Sequence, residues 1–99
     1  MKLQIQSIHF DADKRLLEYV QEKCDKLDKF FDRIIDGQVV MKIEKDSNGV
    51  GNKMLELRVN VPNDQLLVKE RGDKFEECTD LAIESMKRQV KKYKDKLLA

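Results

Sequence analysis

KMLELRVNV, residues 53–61, alternates Leu55, Leu57, Val59 and Val61 with Glu56, Arg58 and Asn60. A period of two sends successive side chains to opposite faces of an extended chain, so this stretch reads as a strand with one apolar and one polar face. Its neighbours extend the pattern. Downstream, Pro62, Asn63 and Asp64 form a turn, and QLLVKE (65–70) returns as a further strand. Upstream, VVMKIE (39–44) puts Val39, Met41 and Ile43 on one face. Between them KDSNGVGN (45–52), with Asn48, Gly49 and Gly51 able to take positive φ, reads as a mobile hairpin loop. Strands joined by such short turns pair antiparallel.

Farther out the period changes. Leu16, Leu17, Val20, Cys24, Leu27 and Phe31 recur every three or four residues, which predicts a helix that Asp11 or Asp13 can cap and that ends near Arg33, with Gly37 as a stop before the next strand. Before it, LQIQSI (3–8) alternates Leu3 and Ile5 with Gln4 and Gln6, a first strand. After the sheet, Phe75, Cys78, Ala82, Met86, Val90, Tyr93 and Leu97 keep helical spacing for about six turns. The order βαβββα specifies an α+β fold. A strand–helix–strand start favours a right-handed crossover and a parallel first pair, giving a four-stranded mixed sheet with both helices packed on one face, as in double-stranded-RNA-binding domains. The other sheet face is left polar, and residues 1–99 are expected to form a single domain.

Charged residues make up 39% of the 99 and hydrophobic ones 40%, arranged periodically, which favours a soluble globular protein over a disordered one. The apolar runs are far too short for a membrane helix and MKLQIQSIHF has no signal-peptide block, so a cytoplasmic location without membrane contact is expected. Cys24 and Cys78 fall on the apolar helix faces, away from any metal-ligand spacing, and read as small buried hydrophobes. His9, the single histidine, reads as structural or peripheral. No phosphate-cradling glycine loop, histidine pair or nucleophile elbow is present, which argues against an enzyme and against a metal or cofactor.

Charge is the informative feature. The formal net charge is only +1, yet KRQVKKYKDK (87–96) holds six cations and one anion. Helix two sorts its charge lengthwise: Asp73, Glu76, Glu77, Asp80 and Glu84 precede Lys87, Arg88, Lys91, Lys92, Lys94 and Lys96. The helix dipole favours that polarity, but its effect is confined to the last turn and worth up to about 1 kcal/mol, whereas like charges four residues apart repel. Helix one sorts its charge sideways, with Arg15, Lys23, Lys26, Lys29 and Arg33 on one flank and Glu18, Glu22, Asp25, Asp28 and Asp32 mainly on the other. Part of this is solvated charge in i,i+4 pairs. Side by side on a sheet, the two helices would join their cations into a patch for closely spaced phosphates, and folded RNA read by shape is the natural ligand. With only Tyr19 and Tyr93 as exposed aromatics, a base-stacking platform is not expected.

KLDKFFDRI (26–34), VVMKIEK (39–45) and KRQVKKYKDKL (87–97) resemble the ribosome hibernation-promoting factors, or ribosome-associated inhibitors, over nearly the whole chain, with FFDRI and RQxxKxKDKL the most specific pieces. The resemblance implies a protein that sits on the small subunit of the whole ribosome, between head and body near the decoding centre. There it would contact ribosomal RNA and exclude messenger and transfer RNA in idle or starved cells. Lys23, Lys26, Arg33, Arg88, Lys92, Lys94 and Lys96 match the family's basic pattern; Lys29, Lys87 and Lys91 join them on helical-wheel position. Ser85 stands where some relatives carry a basic residue, GDKFEECTD (72–80) is shifted by one against the usual glycine-aspartate-aromatic pattern, and the 45–52 loop is glycine-rich rather than basic. The length resembles the short form, which lacks the second domain of longer members. The free protein is expected to be monomeric. The rival reading is a protein-interaction module that docks its basic helix end on an acidic protein surface.

Overall fold

The computed structural model describes residues 1–44 and 52–98. Its elements are β1 (Leu3–Ile8), α1 (Lys14–Phe30), β2 (Asp36–Ile43), β3 (Lys53–Val61), β4 (Asp64–Gly72) and α2 (Phe75–Leu98), the order read from the sequence. The strands lie in the order β1-β2-β3-β4, with β1 parallel to β2 and the other two pairs antiparallel. The loop expected over 45–52 lies, apart from Asn52, outside the described residues.

Alternation along β3 works as its sequence implies: Leu55, Leu57, Val59 and Val61 are buried, and Met54, Glu56, Arg58 and Asn60 turn to the opposite face. Val61 pairs with Asp64 across Pro62 and Asn63, and Asn63 takes a φ of 65°. Proline at the first turn position and a left-handed asparagine at the second is the residue pattern of a type II turn. Val39 and Met41 of β2, Leu66 and Val68 of β4, and the buried stripes of both helices complete one core, so both helices cover the same sheet face. Glutamines 4, 6 and 38 and the Glu56, Arg58 and Lys69 ion pairs occupy the other.

Two expectations about the β1–β2 region need correcting. Helix α1 ends at Phe30, so Arg33 is not helical: Phe31 is extended (φ −150°, ψ 114°) while its N–H still donates to the Leu27 carbonyl. The Phe31 ring turns inward, edge-on to Tyr93 with centroids 5.7 Å apart, and the extended backbone carries the chain across to Asn60, whose carbonyl accepts from Ile35 N–H at 2.8 Å. Gly37 is not a stop but the second residue of β2, paired with Leu3. A Cβ there would lie 2.7 Å from Met1 Sδ and 3.3 Å from the Arg58 carbonyl, so the glycine leaves the space into which the Met1 side chain packs.

Helix α2 is tied to the sheet at its basic end. The Tyr93 hydroxyl donates to the Pro62 carbonyl at 2.5 Å, and Gln89 Nε2 donates to the Leu67 carbonyl at 2.8 Å. At the other end Phe75 stacks on Phe10 at 4.7 Å, which anchors the β1–α1 connection. These tethers set the position from which the cations of α2 project. Cys24 and Cys78 are buried, as expected, and burial pushes their thiols up to about 12 and about 11. His9 is exposed and occupies a left-handed conformation (φ 68°) in the connection after β1.

Candidate functional site

The anions of α1 are used on the flank nearest the start of β1. The Met1 ammonium lies 2.9 Å from Asp25 and 2.5 Å from Asp28, and Gln21 Nε2 donates to Asp25 and to the Met1 carbonyl. Hydrogen bonds to Asp28 and then Asp25 raise the pKa of the ammonium above its usual value, and the ammonium in turn lowers that of Asp25. The flank facing α2 is therefore left to the cations. Asp13 caps the helix, its carboxylate accepting from Leu16 N–H at 2.8 Å.

Midway along the helix pair, Lys23 and Lys26 of α1 meet Lys87 of α2 in a shallow cleft that also contains Asp80 and Glu84. Asp80 accepts from the Tyr19 hydroxyl at 2.7 Å and lies 3.5 Å from the Lys23 ammonium, which also sits 5.4 Å from the centre of the Tyr19 ring. The bond to Asp80, followed by partial burial, pushes the Tyr19 phenol up to about 12. Lys87 reaches Glu84 at 3.7 Å. Here the two helices are clasped by charge as well as by core.

At the open end, where α1 stops and α2 runs on, Lys29, Arg33 and Lys94 surround a second cleft with Phe30, Phe31, Leu97 and Leu98. Lys94 lies over two rings, 5.2 Å from the centre of Phe30 and 5.9 Å from that of Phe31. Asp32 also lines this cleft but forms no ion pair with a described residue. The early end of α1 has not removed Arg33 from the group; it has placed it in the turn beside the end of α2.

The remaining cations of α2 divide by helical phase. Lys91 is exposed one turn beyond Lys87, on the flank toward α1. Arg88 donates to Ser85 Oγ at 3.0 Å, which donates to Glu70 of β4 at 3.2 Å, while Lys92 and Lys96 border a third cleft with Asp64, Leu66, Gln89 and Tyr93. Arg88, Lys92 and Lys96 thus lie toward β4. Among the described residues no carboxylate forms an ion pair with Lys26, Lys29, Arg33, Arg88, Lys91, Lys92, Lys94 or Lys96. The result is a cationic surface running from the α1–α2 groove over the exposed crest of α2.

One expectation about aromatics is overturned. Tyr93 is buried and bonded to Pro62, and Tyr19 is engaged by Asp80; the aromatic left most open is Phe30, 39% exposed. The signal was present in the spacing, because Phe31 continues the stripe of Val20, Cys24 and Leu27 whereas Phe30 falls beside it.

Among the described residues no helix is long and apolar enough to cross a membrane, and no group of three or more His, Cys, Asp or Glu side chains is placed to hold a metal ion. Residues 3–98 match the family model described as Sigma 54 modulation protein / S30EA ribosomal protein. The ribosome hibernation promoting factor of Pseudomonas putida KT2440 is 28% identical over 96 residues, covering 97% of this chain and 89% of the relative. That of Escherichia coli K12 is 30% identical over 97 residues, covering 98% of this chain and 97% of the relative. The structure of a ribosomal subunit interface protein from Coxiella burnetii superposes with a TM-score of 0.85 at 21% identity, covering 96% of this chain and 99% of the other, and so shares the fold. With nearly the whole length matched, this chain belongs to the Sigma 54 modulation protein / S30EA ribosomal protein family.

Proposed function

We propose that this protein is a ribosome hibernation factor. It binds the small ribosomal subunit near the decoding centre through the basic surface of α1 and α2, keeps messenger and transfer RNA off, and silences idle ribosomes in the cytoplasm of starved or stationary cells. It does so by occupancy rather than by catalysis, and residues 1–99 act as one ribosome-binding unit that is monomeric when free. The observation that carries this reading is the pair of adjacent helices whose cations remain largely without carboxylate partners. Such a surface repels itself until a polyanion supplies the missing charge, and ribosomal RNA supplies it at regular phosphate spacing. The names of the relatives supply the ribosome as the particle.

Lys23, Lys26, Lys29, Arg33, Lys87, Arg88, Lys91, Lys92, Lys94 and Lys96 are the proposed RNA contacts. They position the protein on phosphates and leave recognition to the shape of the RNA surface. The test is sedimentation of lysates from growing and starved cells through sucrose at low and high salt. Co-migration with small subunits or whole ribosomes that disappears at high salt supports the reading. Replacing Arg88, Lys92 and Lys94 with glutamate is expected to abolish co-migration with an unchanged circular dichroism spectrum; unaltered binding would favour docking on an acidic protein instead.

A further inference from the structure

Phe30 and Phe31 are adjacent in sequence and opposite in fate. Phe31 is 6% exposed and locked edge-on against Tyr93, while Phe30 is 39% exposed at the mouth of the open-end cleft. A lone exposed phenylalanine needs no explanation. This one stands among three cations: Lys29 and Arg33 line the same cleft, and Lys94 holds its ammonium 5.2 Å from the ring centre. Leu97, 51% exposed, supplies an apolar wall. An aromatic plane ringed by ammonium and guanidinium groups matches both halves of a nucleotide, the π-face of its base and the charge of its phosphate.

We propose that Phe30 is the stacking platform for one unpaired RNA base, whose flanking phosphates are held by Lys29, Arg33 and Lys94. The inference rests on the ribosomal RNA reading above and adds to it an interaction that phosphate pairing alone does not provide. Size and shape favour a nucleotide over a peptide helix. The cleft is open to solvent, with a volume of about 380 Å³, toward the small end of the range for sites that take small molecules, and it sits at the terminus of a helix pair rather than along a groove several turns long. The cations of the α1–α2 groove, Lys23, Lys26 and Lys87, lie on the same helix pair as those of this cleft, so one RNA strand can follow both, passing Asp80 and Glu84 in the groove and Asp32 at the cleft. A base stacks there irrespective of its identity, because every base offers a π-face.

The sequence contains no tryptophan, so Phe30→Trp creates a single fluorescent reporter at the platform. Titrating this variant with isolated small ribosomal subunits, and separately with a short single-stranded oligoadenylate, is expected to quench the indole. A flexible acidic peptide such as oligoglutamate is expected to leave it unquenched. In parallel, Phe30→Leu keeps the apolar bulk and removes the ring, and is expected to weaken subunit binding by roughly ten-fold with an unchanged salt slope. Phe30→Leu with wild-type affinity, or an indole that responds to oligoglutamate and not to RNA, overturns the platform. Failure of the wider reading looks different: then the Arg88, Lys92, Lys94 reversal leaves subunit binding intact, whatever Phe30 does.

Discussion

Midway along the helix pair, Lys23 lies 3.5 Å from Asp80 and Lys87 lies 3.7 Å from Glu84; at the open end, Lys29, Arg33 and Lys94 have aromatic and aliphatic neighbours and no ion-pair partner among the described residues. The same side-chain types therefore do different work. A paired surface cation gains only about 0–1 kcal/mol, between the helices for Lys23–Asp80 and within α2 for Lys87–Glu84, and must give up its carboxylate before it can take a phosphate. An unpaired one gives up only water and relieves the repulsion of its neighbours when a phosphate arrives. Binding energy for a polyanion should thus concentrate at the open end, with the groove contributing less per cation.

Between these two regions, the larger expected effect tests that ranking. Reversing Lys29, Arg33 and Lys94 to glutamate should weaken ribosome binding on the order of 100-fold at ~0.1 M salt and flatten the dependence on log[salt] by about 0.7–0.9 for each phosphate that is no longer neutralised. The matching groove variant, Lys23→Glu with Lys87→Glu, should cost nearer ten-fold in affinity. It should also lower the melting temperature, because glutamate at 23 would face Asp80. Sedimentation against salt and thermal denaturation, run on both variants, separate the two regions. An equal drop in affinity would erase the distinction between them.

Removing an anion sharpens the comparison in the opposite direction. Asp80→Asn frees Lys23 and deletes a negative charge beside the phosphate path, so ribosome affinity should rise a few-fold while stability falls by up to about 1 kcal/mol, or roughly 4–8 °C in melting temperature. The Tyr19 phenol reports on the same interaction. Because Asp80 accepts its proton, the folded-state pKa is raised from 10.0 to about 12, so the stabilisation is complete below pH 10 and is lost as pH rises through about 12. In Asp80→Asn the Tyr19 ring resonances should titrate closer to pH 10. Titration still near 12 would show that the hydrogen bond is not the cause.

The strands and helices were legible because each obeys one period over enough residues. Seven residues of strict alternation, 55–61, identify β3, and the stripe from Phe75 to Tyr93 identifies α2. The boundaries failed where a single long-range contact decides them. Gly37 looks like a breaker until Met1 is found packed against it, and Arg33 looks helical until Phe31 is seen turning inward to Tyr93. The cations themselves could be read off the chain, but their division could not. Residues 87, 91 and 94 separate from 88, 92 and 96 by phase, yet which row faces α1 depends on how α2 lies on β3 and β4. The Tyr19–Asp80 hydrogen bond joins residues 61 apart and leaves no local trace.

The smallest effect expected lies on the back of α1, where anions rather than cations are neutralised. Asp25→Asn with Asp28→Asn removes both partners of the Met1 ammonium, but their side chains are 48% and 36% exposed, so the loss of stability should stay below about 1 kcal/mol. Its pH profile identifies it. The ammonium has a raised folded-state pKa, so its contribution is full below its ordinary value of 8.0 and fades as pH climbs through the folded value. Asp25 has a lowered one, so its contribution is full above 3.8 and fades as pH drops through the folded value. The melting temperatures of wild type and double variant should therefore differ most between those limits and converge on either side. Ribosome affinity should change less than two-fold, since these carboxylates lie on the flank away from α2, and a larger change would mean that RNA reaches around α1 to the side that carries the N-terminus.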